Sequence, residues 1–219
     1  MTTQWLYLIC GGLLLSSVMV LWRRELSAIV RLLVLQGVLL GALAGVLDVR
    51  LESAELGVVA VGVLALKAIV VPGILRRVLR DSAQDWGEAR ETEPLTNVPA
   101  SIVAAALLTL LAYAAARPLV RLSPTAETHA VPVGLAMVLI GFFVLVTRRR
   151  ALSQIVGFLL LDNGIATTAF LITGGVPGIV ELAVSLDVLL VVLVLQVLTA
   201  RLRTTFGGTD IDELRELHD

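Results

Sequence analysis

The sequence predicts an all-α integral membrane protein, a bundle of seven transmembrane helices. Of its 219 residues, 58% are hydrophobic and 16% charged, whereas a soluble domain carries about 25% charged residues. Apolar stretches of about 20 residues, the length that crosses a bilayer, recur along the chain. Arginines cluster after alternate stretches. These observations exclude a soluble enzyme and any sizeable domain outside the membrane.

Seven apolar segments account for most of the chain. They are Trp5–Trp22, Leu26–Leu47, Ala54–Leu75, Ala100–Ala116, Ala130–Val146, Leu152–Ile172 and Ile179–Ala200. The first begins without a positive charge and has Arg23 and Arg24 on its far side. Because a signal peptide has the opposite arrangement, we expect this segment to stay in the membrane.

Arginine placement predicts the orientation. Clusters follow the odd-numbered segments, namely Arg23/Arg24, Arg76/Arg77/Arg80, Arg148/Arg149/Arg150 and Arg201/Arg203. The alternate loops hold only Arg50, Arg117 and Arg121. The positive-inside rule then places the N-terminus outside and the C-terminus in the cytoplasm. We therefore expect a multi-pass membrane protein.

An internal repeat divides the chain. At an offset of 126 positions, Leu26–Val30 falls on Leu152–Val156, and Glu55 falls on Glu181. The pattern predicts three spans, a linking span and three spans, a parallel repeat of the kind found in membrane transport proteins. The predicted units are an N-terminal three-helix repeat (1–80), an acidic cytoplasmic loop with the linking helix (81–128), a second three-helix unit (129–203) and a cytoplasmic tail (204–219).

Three ionisable residues lie deep in the predicted spans. At about 1.5 Å per residue, Lys67, Asp162 and Asp187 lie roughly 13, 16 and 21 Å from the cytoplasmic side. Each costs about 2.5–3.5 kcal/mol at a helix centre. We therefore expect them to be paired, hydrated or, for the acids, protonated, and to mark a functional site.

The residue types suit proton transfer. Burial raises the pKa of a carboxylic acid and lowers that of an amine, so both can exchange protons near neutral pH. This favours a proton relay through Asp162 and Asp187, with Lys67 as a further member and Asn163 as a secondary polar residue. The alternative is a structural ion pair, in which Lys67 and one aspartate only clamp the helices.

Other polar residues extend the candidate path. Glu181 and Gln196 share one face of the seventh segment, and Asp187 lies about 120° away at 100° per residue. Glu55 and Glu181 lie near the outer ends of their spans, at a proton exit or simply in interfacial solvent. Gln36 occupies the repeat position of Asp162 but cannot titrate, so we do not expect the first half to conduct in the same way.

The third segment predicts an irregular helix around its lysine. Pro72 follows Lys67 by five residues and precedes Gly73. Proline kinks helices, and a kink here would free carbonyl groups and open a wet pocket.

Scarce metal ligands argue against a bound cofactor. Cys10 is the only cysteine, and His129 and His218 are the only histidines, so we expect no disulfide, iron–sulfur cluster or metal site. The near-equal counts of 17 basic and 18 acidic residues give no nucleic-acid footprint. Any redox chemistry must take place in a partner.

At the level of motifs, the chain resembles a known family. Five stretches of the chain resemble hydrogenase-4 component E. They are residues 150–158, Leu161-Asp162-Asn163-Gly164, Val180-Glu181-Leu182, the Leu186-Asp187 step and Leu66–Pro72. The last three spans are similar to the K subunit of respiratory complex I and the C subunit of Mrp antiporters.

The resemblance implies a non-catalytic membrane subunit of an energy-converting [NiFe]-hydrogenase or formate-hydrogenlyase-like complex, a multi-pass protein of a bacterial or archaeal cytoplasmic (inner) membrane. Its partners would be antiporter-like membrane subunits and the membrane subunit under the redox arm. The two carboxylates of the lateral proton path in the K subunit correspond to Asp162 and Asp187. The family usually has glutamate where this chain has Asp162, and the shorter side chain can require a water to complete the path.

Two other functions fit the sequence. One is a structural membrane anchor, in which the buried polar residues only fix helix packing. The other is a component of a cation/proton antiporter that uses Lys67 and the aspartates for exchange.

Overall fold

A computed structural model describes residues 2–23, 25–51, 61–62, 64–77, 97–148 and 151–173. Those residues are almost entirely helical. The helices are α1 (Thr2–Trp22), α2 (Leu26–Leu51), a π-helical segment (Leu64–Val70), α3 (Val98–Leu122), α4 (Ala126–Thr147) and α5 (Ala151–Thr173). The π segment continues as α-helix through residues 71–77. The all-α prediction is confirmed for this part of the chain.

Five helices of the described part are long and apolar enough to cross a membrane. They are α1 to α5, and they correspond to the predicted spans one, two, four, five and six. The third predicted span is described only in part, and the seventh lies outside the described residues. The protein is a multi-pass membrane protein by these five helices, and the seven-span topology stays a prediction.

The helices extend beyond the apolar segments that predicted them. For example, α3 runs from Val98 to Leu122, whereas the apolar segment covers 100–116. Helix α4 begins four residues early, at Ala126, because Thr125 caps it: the Thr125 hydroxyl accepts from the Thr128 backbone N–H, and the Thr128 hydroxyl accepts from that of Thr125. Backbone groups at a helix end need such partners, so helices end at caps rather than where hydropathy falls.

Helices α4 and α5 form the most closely packed pair in the described structure. A Cβ added at Gly141 would lie 2.6 Å from the Leu161 nitrogen, and one at Gly164 would lie 2.5 Å from the Val138 nitrogen. Only glycine permits backbones to approach so closely, as is common between membrane helices. The pair therefore forms a rigid hairpin in which α5 is fixed along its length.

The hydrophobic core lies between this hairpin and the α1–α2 pair. Its largest cluster joins the four helices through buried residues such as Leu13, Leu40, Met137 and Phe170. A second cluster continues it to the π segment and includes Leu33, Val71 and Leu159. Because lipid solvates the outer surface, many large apolar side chains outside these clusters are exposed.

A polar contact joins three helices at one end of the bundle. The Arg50 guanidinium at the end of α2 lies 3.1 Å from a carboxylate oxygen of Glu127 in the first turn of α4. The same guanidinium donates to the Thr3 hydroxyl at 3.3 Å. Both charged side chains are partly exposed, so the pair contributes little, about 0–1 kcal/mol.

Candidate functional site

The candidate site lies where α5, α2 and the π segment meet. Helix α5 supplies Asp162 and Asn163, the π segment supplies Lys67, and α2 supplies Gln36. All four residues are buried, with 0–7% of their surface exposed. In an otherwise apolar bundle, these elements concentrate their polar side chains at one place.

Close backbone approach brings the π segment to this site. A Cβ added at Gly37 would lie 2.6 Å from the carbonyl carbon of Lys67, so α2 and the π segment touch main chain to main chain. The π-helical stretch ends two residues before Pro72, which has no backbone N–H and so cannot donate to an earlier carbonyl. A π-helical stretch, often found at functional sites, therefore holds Lys67 against α2.

Lys67 and Asp162 form a buried ion pair. The Lys67 Nζ lies 2.8 Å from the Asp162 Oδ2, and each side chain is 6% exposed. The contact gives each buried charge a counter-ion, which such charges require in a low dielectric. A proton relay and a structural clamp would both contain this contact.

Asn163 begins a chain of neutral hydrogen bonds. Its Nδ2 donates to the Gln36 Oε1 at 3.0 Å, and the Gln36 Nε2 donates to the Ser17 Oγ at 3.0 Å. The Ser17 hydroxyl donates to the Leu13 carbonyl at 2.8 Å. This chain links α5, α2 and α1 and satisfies both polar ends of the Gln36 amide. It fixes the rotation of α5 at the residue next to Asp162.

A small cavity lies beside the ion pair. The volume that the centre of a water molecule could occupy is about 20 Å³. Its polar lining residues among those described are Lys67, Asp162 and Asn163. Pro72 contributes to its wall. A cavity needs about 10–15 Å³ by this measure, and two to four polar partners, to hold a water. The cavity therefore has the size and lining that suit one water molecule, at the place where Pro72 predicted a pocket.

Among the predicted site residues, the structure brings together Lys67, Asp162 and Asn163. Asp187, Glu181, Gln196 and Glu55 lie outside the described residues, as do residues 81–96 of the predicted acidic loop (81–99) and the tail 204–219. Within the described part, no three His, Cys, Asp or Glu side chains are close enough to hold a metal ion.

Sequence reasoning missed the contribution of Gln36 and Ser17. Because Gln36 cannot titrate, its place in the sequence predicts no part in proton transfer. It is nevertheless fully buried and hydrogen-bonded to two other helices. The repeat offset of 126 contained the signal, because it aligns Gln36 with Asp162, the residue adjacent to its partner Asn163. Ser17 gave no comparable signal.

Comparison with known proteins gives the relationships of the chain. It is 51% identical over 209 residues to Uncharacterized protein Rv0085 of Mycobacterium tuberculosis, a match that covers 95% of this chain and 94% of that protein. This chain belongs to the same family as Rv0085. No family model matches the chain, and no solved structure matches it significantly.

A more distant relative has a descriptive name. The chain is 28% identical over 151 residues to hydrogenase-4 component E of Escherichia coli K12, covering 69% of this chain and 68% of that protein. The corresponding protein of Shigella flexneri matches equally. The family of this chain is thus one of membrane proteins distantly related to hydrogenase-4 component E, which confirms that part of the resemblance.

Proposed function

We propose that this protein is a membrane subunit of an energy-converting [NiFe]-hydrogenase or formate-hydrogenlyase-like complex, and that its buried carboxylates form part of a lateral proton path. In this proposal the chain crosses the cytoplasmic membrane seven times as two parallel three-helix units with a linking helix. Its neighbours are antiporter-like subunits and the membrane subunit under the redox arm. The distant similarity to hydrogenase-4 component E supports the assignment.

The observation that carries the proposal is the buried Lys67–Asp162 pair beside a cavity of water size. An amine and a carboxylate 2.8 Å apart can share one proton without moving a helix. A proton that reaches the Asp162 carboxylate neutralises it and leaves the Lys67 ammonium without its counter-ion. Lys67 would then pass its own proton to a water in the adjoining cavity, because an uncompensated buried charge is costly.

The remaining predicted residues would extend or support the proton path. Asp187 would exchange protons with Asp162 through a water, and Glu181 and Glu55 would lie towards the outer surface, with Gln196 as a polar neighbour. Asn163 and Gln36 cannot titrate, so they position α5 rather than carry the proton. Water in the cavity would compensate for the short aspartate side chain.

The direct contact between Lys67 and Asp162 also favours a second candidate, the structural anchor. A clamp and a relay differ in what happens when the charges are replaced. Apolar residues of similar volume often substitute for a buried ion pair without loss of stability, or with a gain of about 1–4 kcal/mol. A clamp therefore tolerates the double variant Lys67→Met/Asp162→Leu, whereas a relay does not.

The experiment uses the intact complex in inverted membrane vesicles, with hydrogenase turnover and proton uptake measured on the same sample. We expect Asp162→Asn, Asp187→Asn and the apolar double variant to keep assembly and to lose proton uptake. Asp162→Glu should retain it, because a carboxylate remains. The matched control is Asp48→Asn, an aspartate near the end of α2 and outside the site.

Full proton uptake by the apolar double variant would reject the relay and leave the anchor. Ion movement by the purified chain alone in liposomes would instead identify an antiporter component. Failure of the chain to co-purify with a nickel-containing subunit would reject the hydrogenase assignment.

A further inference from the structure

A groove between α1 and α2 lies away from the polar site. It has a volume of about 360 Å³ and lies where α1 ends and α2 begins. Arg23, Glu25 and Arg31 line its polar part. Specific ligand sites begin at about 300 Å³, so the groove is large enough to hold part of a lipid molecule.

The charged part of the groove fits a phosphate group. Arg23 follows the last turn of α1, and Arg31 lies five residues into α2, about 7.5 Å along its axis. Both are exposed, and within the described residues neither has a carboxylate within ion-pair distance. Two guanidinium groups on the wall of one groove favour a phosphodiester, which arginine binds through paired N–H groups.

The remaining wall of the groove is apolar. Ala28, Leu32 and Leu35 follow one another along one face of α2, at the spacing that places residues on the same side of a helix. Met19, one turn before Arg23, supplies the α1 side. From Ala28 to Leu35 this wall extends about 10.5 Å along α2. The groove therefore combines a charged part with an apolar floor that runs along α2.

We propose that this groove binds an anionic phospholipid, with its phosphodiester on Arg23 and Arg31 and an acyl chain along Leu32 and Leu35. The orientation that the arginine distribution predicts would place this end of the bundle at the cytoplasmic leaflet, where anionic lipids are concentrated. Among the described residues, the lining carries two positive charges and one negative charge, that of Glu25, so this balance favours an anionic headgroup over a zwitterionic one. The inference is independent of the proposed function.

The test measures lipid binding to the purified full-length chain in detergent by native mass spectrometry. The probes are phosphatidylglycerol, phosphatidylcholine and inorganic phosphate. We expect phosphatidylglycerol to bind more tightly than phosphatidylcholine, and phosphate alone to compete poorly because it lacks the acyl chain. Arg23→Gln and Arg31→Gln should each weaken phosphatidylglycerol binding about fivefold, since one basic residue near the surface contributes about 1 kcal/mol.

Two further variants keep the test decisive if the arginine variants fold poorly. Glu25→Gln removes the opposing charge and should tighten phosphatidylglycerol binding. Ala28→Phe fills the floor without altering charge and should weaken it. Arg76→Gln, an exposed arginine that does not line the groove, is the matched control and should bind like the wild type.

Equal binding of the two lipids would overturn the proposal, as would equal losses for Arg31→Gln and Arg76→Gln. Inorganic phosphate that competes as well as phosphatidylglycerol would show a phosphate site without lipid selectivity, which also overturns it. Weaker binding by Glu25→Gln would contradict an anionic headgroup.

Discussion

Removal of one partner of the Lys67–Asp162 pair should destabilise the protein far more than removal of both. The two charged atoms are 2.8 Å apart, and each side chain is 6% exposed, so solvent cannot take the place of a missing partner. Loss of one partner of a buried pair costs about 3–5 kcal/mol. We therefore expect this loss in the free energy of unfolding for Lys67→Met and for Asp162→Leu.

The double variant Lys67→Met/Asp162→Leu should recover all of that loss. It leaves no uncompensated charge, and its stability should lie between the wild-type value and a gain of about 1–4 kcal/mol. In a chain of this length, about 1 kcal/mol corresponds to about 2–4 °C in the unfolding midpoint. The single variants should therefore melt about 6–20 °C below the wild type, and the double variant between the wild-type midpoint and about 16 °C above it.

The assay is thermal unfolding of the purified full-length chain in one detergent, followed by circular dichroism. The quantity of interest is the coupling between the two substitutions in a double-mutant cycle. If the effects of the single variants simply add in the double variant, the two side chains do not interact in the folded protein. That result would refute the buried ion pair between Lys67 and Asp162.

Three further predictions concern other contacts in the described structure, and the same unfolding assay tests all of them. Gly37→Ala should lower the free energy of unfolding by about 1–3 kcal/mol, because its Cβ would overlap the main chain of the π segment. The matched control Gly45→Ala, with open space around its Cβ, should be neutral or slightly stabilising. Equal effects of the two substitutions would contradict the close approach. Gln36→Leu should lower the free energy of unfolding by about 1–3 kcal/mol, because it leaves a buried Asn163 amide without its partner. The double variant Gln36→Leu/Asn163→Leu should lose less stability than the two single variants lose together. Glu127→Gln should change stability by less than about 1 kcal/mol, because its ion pair is partly exposed; a large loss would show that this pair matters more than its exposure implies.

The sequence predicted the charged part of the site better than its neutral part. Lys67 and Asp162 stood out because hydropathy makes a charge in an apolar span conspicuous and costly, and their similar calculated depths are compatible with the contact that the structure contains. Gln36 did not stand out, because an amide costs less to bury and its value depends on a partner 127 residues away. Such pairings depend on which helices are neighbours, and hydropathy does not encode that.

Helix boundaries and local geometry were predicted only in part. The apolar segments located the centres of five helices, but capping extended α4 to Ala126. Pro72 predicted an irregular helix around Lys67. It did not predict that the irregularity is a π-helical segment that packs against Gly37. Whether a helix accommodates a proline by a kink or by a change of pitch depends on the helix packed against it.

The glycine contacts between α4 and α5 limit how the protein can respond to a change of charge. With main chains touching at Gly141 and Gly164, α5 cannot turn about its axis without separating from its neighbour. The carboxylate of Asp162 is therefore carried on a fixed support. Any adjustment to its ionisation must come from side-chain rotation or from the lysine-bearing segment opposite, so the response available at this ion pair is small and local.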